Sequence, residues 1–386
     1  MEYQYVTDEI GLYKAINICR NADVLALDTE FMRTKTYYPE LGLLQVSDGE
    51  HCFLFDPLIL DLNIFSEILL NKNITKVLHS CSEDLEVFQH AFGVLPRPIY
   101  DTQIASSFLG LGFSVSYQAL VEHYLSLRIE KDQTRSNWLA RPLSKRQLDY
   151  AAQDVVYLYE VYNIQQSAMI ETHKADWIMS DLEKISFDIP TITPAENYYL
   201  KIGNLSRFSR RQLSLLKLLF AWRERKARTK NRPRNRIIEQ KILVNIVKEK
   251  SIDDEGLLRA GLPNSQVKKY GSELRYLVAF SESLDENELP PEILRDNFKI
   301  DNKKVRTLQE IVEDRAKEQG IASELLCKKK SLEALLRSKE VSGKHQLPES
   351  LLGWREGVVG KYLLAFLEGE ETVSYTHLTL PTNREV

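Results

Sequence analysis

The stretch VLALDTEF, residues 24–31, limits the possible folds more than any other part of the chain. A short continuous apolar run reads as a strand buried on both faces. This one ends in Asp28 and Glu30. Side chains two apart on a strand share a face, so an interior strand delivers two carboxylates together at its end. Carboxylates held close repel unless a proton or a cation lies between them. The alternative is that the strand has ended and both acids are solvated.

The residues around it read as mixed α/β. LGLLQVSD and HCFLFDP form a hairpin across Asp48 and Gly49. DLNIFSEILLN has helical period, KVLHS reads as a strand, and SEDLEVFQHAFG as a helix ending at Gly93. YDTQIASSFLG, with Asp101 as N-cap, and SVSYQALVEHYL are further helices. The long helix LSKRQLDYAAQDVVYLYEVYNIQQ opens with Ser144 and Gln147 in capping-box spacing. On it, Tyr150 and Asp154 stack at i and i+4 among Leu148, Ala151, Val155 and Leu158. An Asp on so apolar a face needs a partner. Asp84, early in its helix beside Glu83, is a further acid; its other reading is stabilisation of a helix N-terminus. Four carboxylates without a histidine or thiolate cluster suit Mg²⁺ or Mn²⁺ better than zinc. Cys19, Cys52, Cys81 and Cys327 are scattered, with no C-x-x-C pair. That fits a reducing cytoplasm.

LDTEF, Asp84 in HSCSEDLEVF, and YAAQD resemble, in that order, the three motifs of the DEDD exonucleases. Tyr150, four residues before the last Asp, matches the Tyr-type branch. YYPELGLLQVSDG, YDTQIASSFLG and RSNWLARPLS extend the resemblance to the ribonuclease D family, as do two helical segments similar to paired HRDC domains. The resemblance implies an α/β RNase H-like exonuclease domain followed by two small all-α HRDC-like domains. It also implies two divalent ions per active site and removal of nucleotides from RNA 3′ ends, as in tRNA precursors. Carried over residue by residue, Asp28, Glu30, Asp84 and Asp154 become metal ligands and Tyr150 the residue that orients the attacking water. A DNA exonuclease of the same superfamily and a non-catalytic nucleic-acid-binding protein on this scaffold are the alternatives. Clustered like charges beside an anion bring a mere binding module no gain.

The expected domains are 1–186 (exonuclease), 187–204 (a Pro-containing linker), 205–286 (first helical domain), 287–294 (a linker at Pro290-Pro291), 295–371 (second helical domain) and 372–386. The last stretch, VSYTHLTLPTNREV included, reads as translated vector sequence rather than native protein. Net charge is −4, so overall charge implies no polyanion. Locally the balance differs: residues 206–250 carry fifteen Lys or Arg against Glu224, Glu239 and Glu249. Such an excess attracts phosphates, which makes Arg223, Arg225, Lys226, Arg228, Lys230, Arg232, Arg234 and Arg236 candidate RNA ligands; the plainer reading is a solvated face. Lys131, Arg135, Trp138 and Arg141, basic residues around an aromatic, could hold a backbone and stack a base. Their plainer reading is a packed loop with Trp138 in the core. No apolar run is long enough for a bilayer, and no protein partner is implied.

Overall fold

The structure, a computed structural model, describes residues 2–129, 136–187, 193–249, 253–295 and 299–369. The first part runs β1 (Gln4–Val6), α1 (Glu9–Arg20), β2 (Val24–Met32), β3 (Glu40–Ser47), β4 (Cys52–Phe55), α2 (Phe65–Leu70), β5 (Thr75–Leu78), α3 (Ser82–Phe92), β6 (Ile99–Asp101), α4 (Thr102–Phe108), α5 (Tyr117–Leu125), α6 (Lys145–Thr172) and α7 (Ala175–Phe187). The sheet order is β1-β4-β3-β2-β5-β6. β2 pairs antiparallel with β3 and parallel with β5, so the acidic strand lies in the interior of a mixed sheet. Leu25 and Leu27 are fully buried. Each contributes roughly 1.5–3 kcal/mol of burial, which anchors the strand end where carboxylates repel. The elements read from sequence are present, and β1 and α1 precede them.

Local rules set the boundaries. Gly49 turns the β3–β4 hairpin at φ +93°, and a Cβ there would lie 2.3 Å from Tyr159. Gly93 ends α3 in the left-handed region. Asp101 caps α4, accepting from the Gln103 and Ile104 amides. Ser144 and Gln147 exchange the two bonds of a capping box.

The helical region continues with α8 (Arg210–Thr229), α9 (Arg234–Ile237), α10 (Gln240–Ile246), α11 (Asp254–Arg259), α12 (Asn264–Ser283), α13 (Asn302–Gln319), α14 (Ser323–Leu326), α15 (Lys329–Ser342) and α16 (Lys361–Glu368). The two helical segments run through a similar order of elements. In each a long helix (α8, α13) leads to a four-residue helix (α9, α14), two residues in extended conformation, and another helix. Residues 195–201 of the Pro-containing stretch form a 3-10 helix, and Tyr199 and Ile202 join the α8 core.

Packing divides the chain into two compact units, each built from separate segments. One comprises Met1–Tyr100, Glu130–Glu160 and Leu182–Asn297. It holds the sheet, the first half of α6 and the first helical module. One of its cores lies around Leu25, Leu44, Phe55, Phe65 and Phe88, another around Leu216, Phe220, Leu243, Leu257 and Leu274. The other unit comprises Asp101–Ile129, Val161–Asp181 and Phe298–Val386. There Trp354 stacks on Trp177 with centroids 4.8 Å apart and donates to Asp181, which Arg355 also binds. Among the described residues no helix is long and apolar enough to cross a membrane.

Candidate active site

Asp28 and Glu30 leave β2 on one face, as the period of two requires. α6 brings Asp154 to them. One carboxylate oxygen from each of Asp28, Glu30 and Asp154 lies within 4.8 Å of the others. Asp84 stands in the first turn of α3, buried, and accepts a bond from the Thr29 hydroxyl. Its charge acts on all three partners. Neighbouring Glu83 is exposed, so Asp84 is the acid that faces the cluster.

The electrostatics of this group are unfavourable without a cation. Burial, then the charges of Asp84, Asp154 and Glu30, push Asp28 well above the usual carboxylate range. Burial, with the charges of Asp154 and Asp84, raises Glu30 to about 9. Burial raises Asp154 to about 8 although the Tyr150 hydroxyl bonds it, and burial raises Asp84 to about 7 against its hydrogen bonds from Thr29. A converging all-oxygen donor set at this charge density fits hard divalent cations. Tyr150 lies beside the cluster, its hydroxyl bonded to Asp154. Burial, then the charges of Asp154, Glu30 and Asp28, raise the phenol above its ordinary value, so it keeps its proton.

Two neighbours escaped the sequence reading. Thr29 falls between the two acids, where a period-two reading sends it to the other face. Gln45 pairs with Asp28 across β2 and β3 and donates to its carboxylate at 3.4 Å. A polar residue inside the apolar run LLQV was a usable signal, because a buried amide needs a partner.

The basic residues separate into two groups. Glu224 is only 1% exposed and collects Arg228 at 3.0 Å, Arg234 at 2.5 Å and the Tyr37 hydroxyl. Arg234 also donates to Tyr198. Arg223 is buried over Phe220 and donates to the Ile238 carbonyl. These three arginines serve the interior of the module. Lys226 pairs with Glu273, and Arg225 with Glu196 at the surface. Arg225, Lys230, Arg232 and Arg236 are exposed. Trp138 is 1% exposed and Arg141 is ion-paired to buried Asp56, which is the packed-loop arrangement. Lys131 and Arg135 lie outside the described residues, as does the tail 372–386.

Comparison with known proteins gives a consistent set of relatives. A family model described as 3′-5′ exonuclease matches residues 3–170, and the HRDC domain model matches residues 212–277. Ribonuclease D of Pseudomonas paraeruginosa is 37% identical over 378 residues, covering 95% of this chain and 98% of the relative. Ribonuclease D of Escherichia coli is 35% identical over 374 residues, covering 95% and 99%. The crystal structure of Escherichia coli RNase D, an exoribonuclease involved in structured RNA processing, superposes with a TM-score of 0.87 at 33% identity, covering 96% of this chain and 99% of that one.

Proposed function

The chain belongs to the ribonuclease D family, and on that premise we propose that Asp28, Glu30, Asp84 and Asp154 hold two divalent ions, Mg²⁺ or Mn²⁺, while Tyr150 orients the attacking water. The reaction is 3′→5′ exonucleolytic hydrolysis of RNA. One observation carries the site assignment: three carboxylates converge to within 4.8 Å, at a cost only positive charge removes. Bound there, divalent ions supply Lewis-acid chemistry, acidifying a water and stabilising the departing 3′ oxygen. The chain's own residues do the rest. Asp28 and Glu30 are fixed by β2, Asp84 by Thr29, and Asp154 by the Tyr150 hydroxyl. Tyr150, protonated at neutral pH, would hold the nucleophilic water in line and would not itself act as the base.

We read the substrate as tRNA precursors with a free 3′ end, the products as nucleoside 5′-monophosphates, and the location as the cytoplasm. The processing of structured RNA by the Escherichia coli relative supports the substrate class. Exposed Arg225, Lys230, Arg232 and Arg236 supply charge for its phosphates. The test uses 3′- and 5′-labelled RNA and DNA, with and without Mg²⁺. Stepwise loss from the RNA 3′ end is expected, abolished by EDTA and by Asp28→Asn or Asp154→Asn. Full activity without metal overturns the ion assignment, and equal cleavage of DNA overturns the substrate class.

A further inference from the structure

The loop before α6 reaches the active site through one aromatic pair. Arg141 spends all five N–H donors inside the protein. Its Nε and one terminal nitrogen grip Asp56 at 2.6 and 2.7 Å, and the remaining bonds go to the carbonyls of Trp138, Ala140 and Gly42 at 2.9, 2.8 and 2.7 Å. Asp56 is fully buried and also accepts from the Tyr5 hydroxyl. A bidentate guanidinium–carboxylate pair is geometrically strict, so the loop is clamped to β3 and to the residue after β4.

The clamp closes on a β-bulge. Glu30 pairs with Leu43 but Phe31 with Leu41, which leaves Gly42 as the extra residue of β3. A Cβ on Gly42 would lie 2.7 Å from the Trp138 carbonyl oxygen and 2.9 Å from its Cβ. Only glycine lets the loop approach this closely. Trp138 is thereby pressed into the interior, its ring centroid 6.3 Å from that of Tyr150 and tilted by 39°. That lies within the range of interacting aromatic pairs. Among the described residues no acceptor reaches its indole N–H, so the ring is held by shape and not by a hydrogen bond.

We propose that Trp138 is a positioning residue that acts through the Tyr150 hydroxyl, and that Arg141, Asp56 and Gly42 form the clamp that sets it. The proposal rests on the reading that Tyr150 orients the nucleophile. Asp154 fixes the hydroxyl end of Tyr150; Trp138 fixes the flank of its ring. Residues whose types suit binding to RNA thus serve the chemistry from behind.

The test is a double-mutant cycle. Single-turnover cleavage of short RNA at saturating Mg²⁺ is measured for wild type, Trp138→Leu, Tyr150→Phe and the double variant. Melting temperature in Mg²⁺ and RNA affinity in Ca²⁺ are measured alongside. Trp138→Leu is expected to lower kcat on the order of 10–10²-fold, the scale of a misplacement near 1 Å, with KM unchanged. In the Tyr150→Phe background the same substitution is expected to cost nothing further. Trp138→Phe, which keeps a ring in the slot, is expected to recover part of kcat, and it carries the same cycle should Trp138→Leu not fold. Arg141→Lys, which cannot grip Asp56 bidentately, is expected to follow Trp138→Leu. An equal loss in both backgrounds, or a wild-type kcat for a folded Trp138 variant, overturns the proposal. A wild-type rate for Tyr150→Phe instead overturns the reading beneath it.

Discussion

Tyr150 is a phenol that cannot readily ionise, because burial and three neighbouring carboxylates oppose a fourth negative charge. Its service is therefore geometric. Tyr150→Phe retains the ring against Trp138 and removes the bond to Asp154. The expected outcome is a kcat lower by about 10²–10⁴-fold, with Mg²⁺ and RNA affinities near wild type. Single-turnover rates and binding in Ca²⁺ check it. The acids make a second residue-scale prediction. Folded values near 7, 8 and 9 for Asp84, Asp154 and Glu30 exceed the roughly 4 of a free carboxyl. Between those limits the folded, metal-free chain binds more protons than the unfolded chain. Its stability therefore falls as pH rises from about 4 to about 9. Divalent ions replace those protons, so Mg²⁺ is expected to raise the melting temperature more at pH 9 than at pH 6. Melts in EDTA and in Mg²⁺ at both values measure this, and equal increments would count against an ion site here.

At the scale of elements, the segment between β2 and β3 joins the sheet to the first helical module. Tyr37 is buried in the α8 core, and the Tyr37 and Tyr38 amides both donate to Asn231 Oδ1 at 3.0 Å. Tyr38 also stacks on His90 of α3, with centroids 4.4 Å apart. Glu224 anchors this junction. Glu224→Gln leaves Arg228 and Arg234 half-buried without their countercharge, and a loss of about 3–5 kcal/mol is expected. Urea unfolding would measure it, and a change below about 1 kcal/mol would make the network dispensable. The same region marks the limit of what the sequence could tell. The strand and its acids were legible because a period of two places Asp28 and Glu30 together, and α6 because Tyr150 and Asp154 share a helical face. The arginine run was legible as charge but not as structure. A count of cations does not reveal that Glu224, the one acid within WRERKARTKNRPRNR, turns inward and draws two of them with it. Nor could three-residue β1 be read, since it is too short to show a period.

For the molecule as a whole, RNA affinity is expected to depend on the outward cations alone. Arg232→Glu with Arg236→Glu is expected to weaken RNA binding. The slope of log affinity against log salt is expected to fall by roughly 0.7–0.9 for each phosphate no longer neutralised. The melting temperature is expected to hold. Arg234→Ala is expected to do the reverse, lowering stability through Glu224. Affinities across a salt series, with a melt for each variant, separate the two; an unchanged slope for the double variant would leave the exposed charges with solvation only. The junction at Tyr37 has an evolutionary side as well. Asn231 answers to a backbone amide 194 positions upstream, and Glu224 to a hydroxyl of the same residue. A gene fusion that swapped in a foreign helical module at the linker would keep Tyr37 but lose both Asn231 and Glu224. Loop and module are matched to each other in this chain, and chimeras are expected to fold stably only when residues 33–39 travel with the helical module they bind.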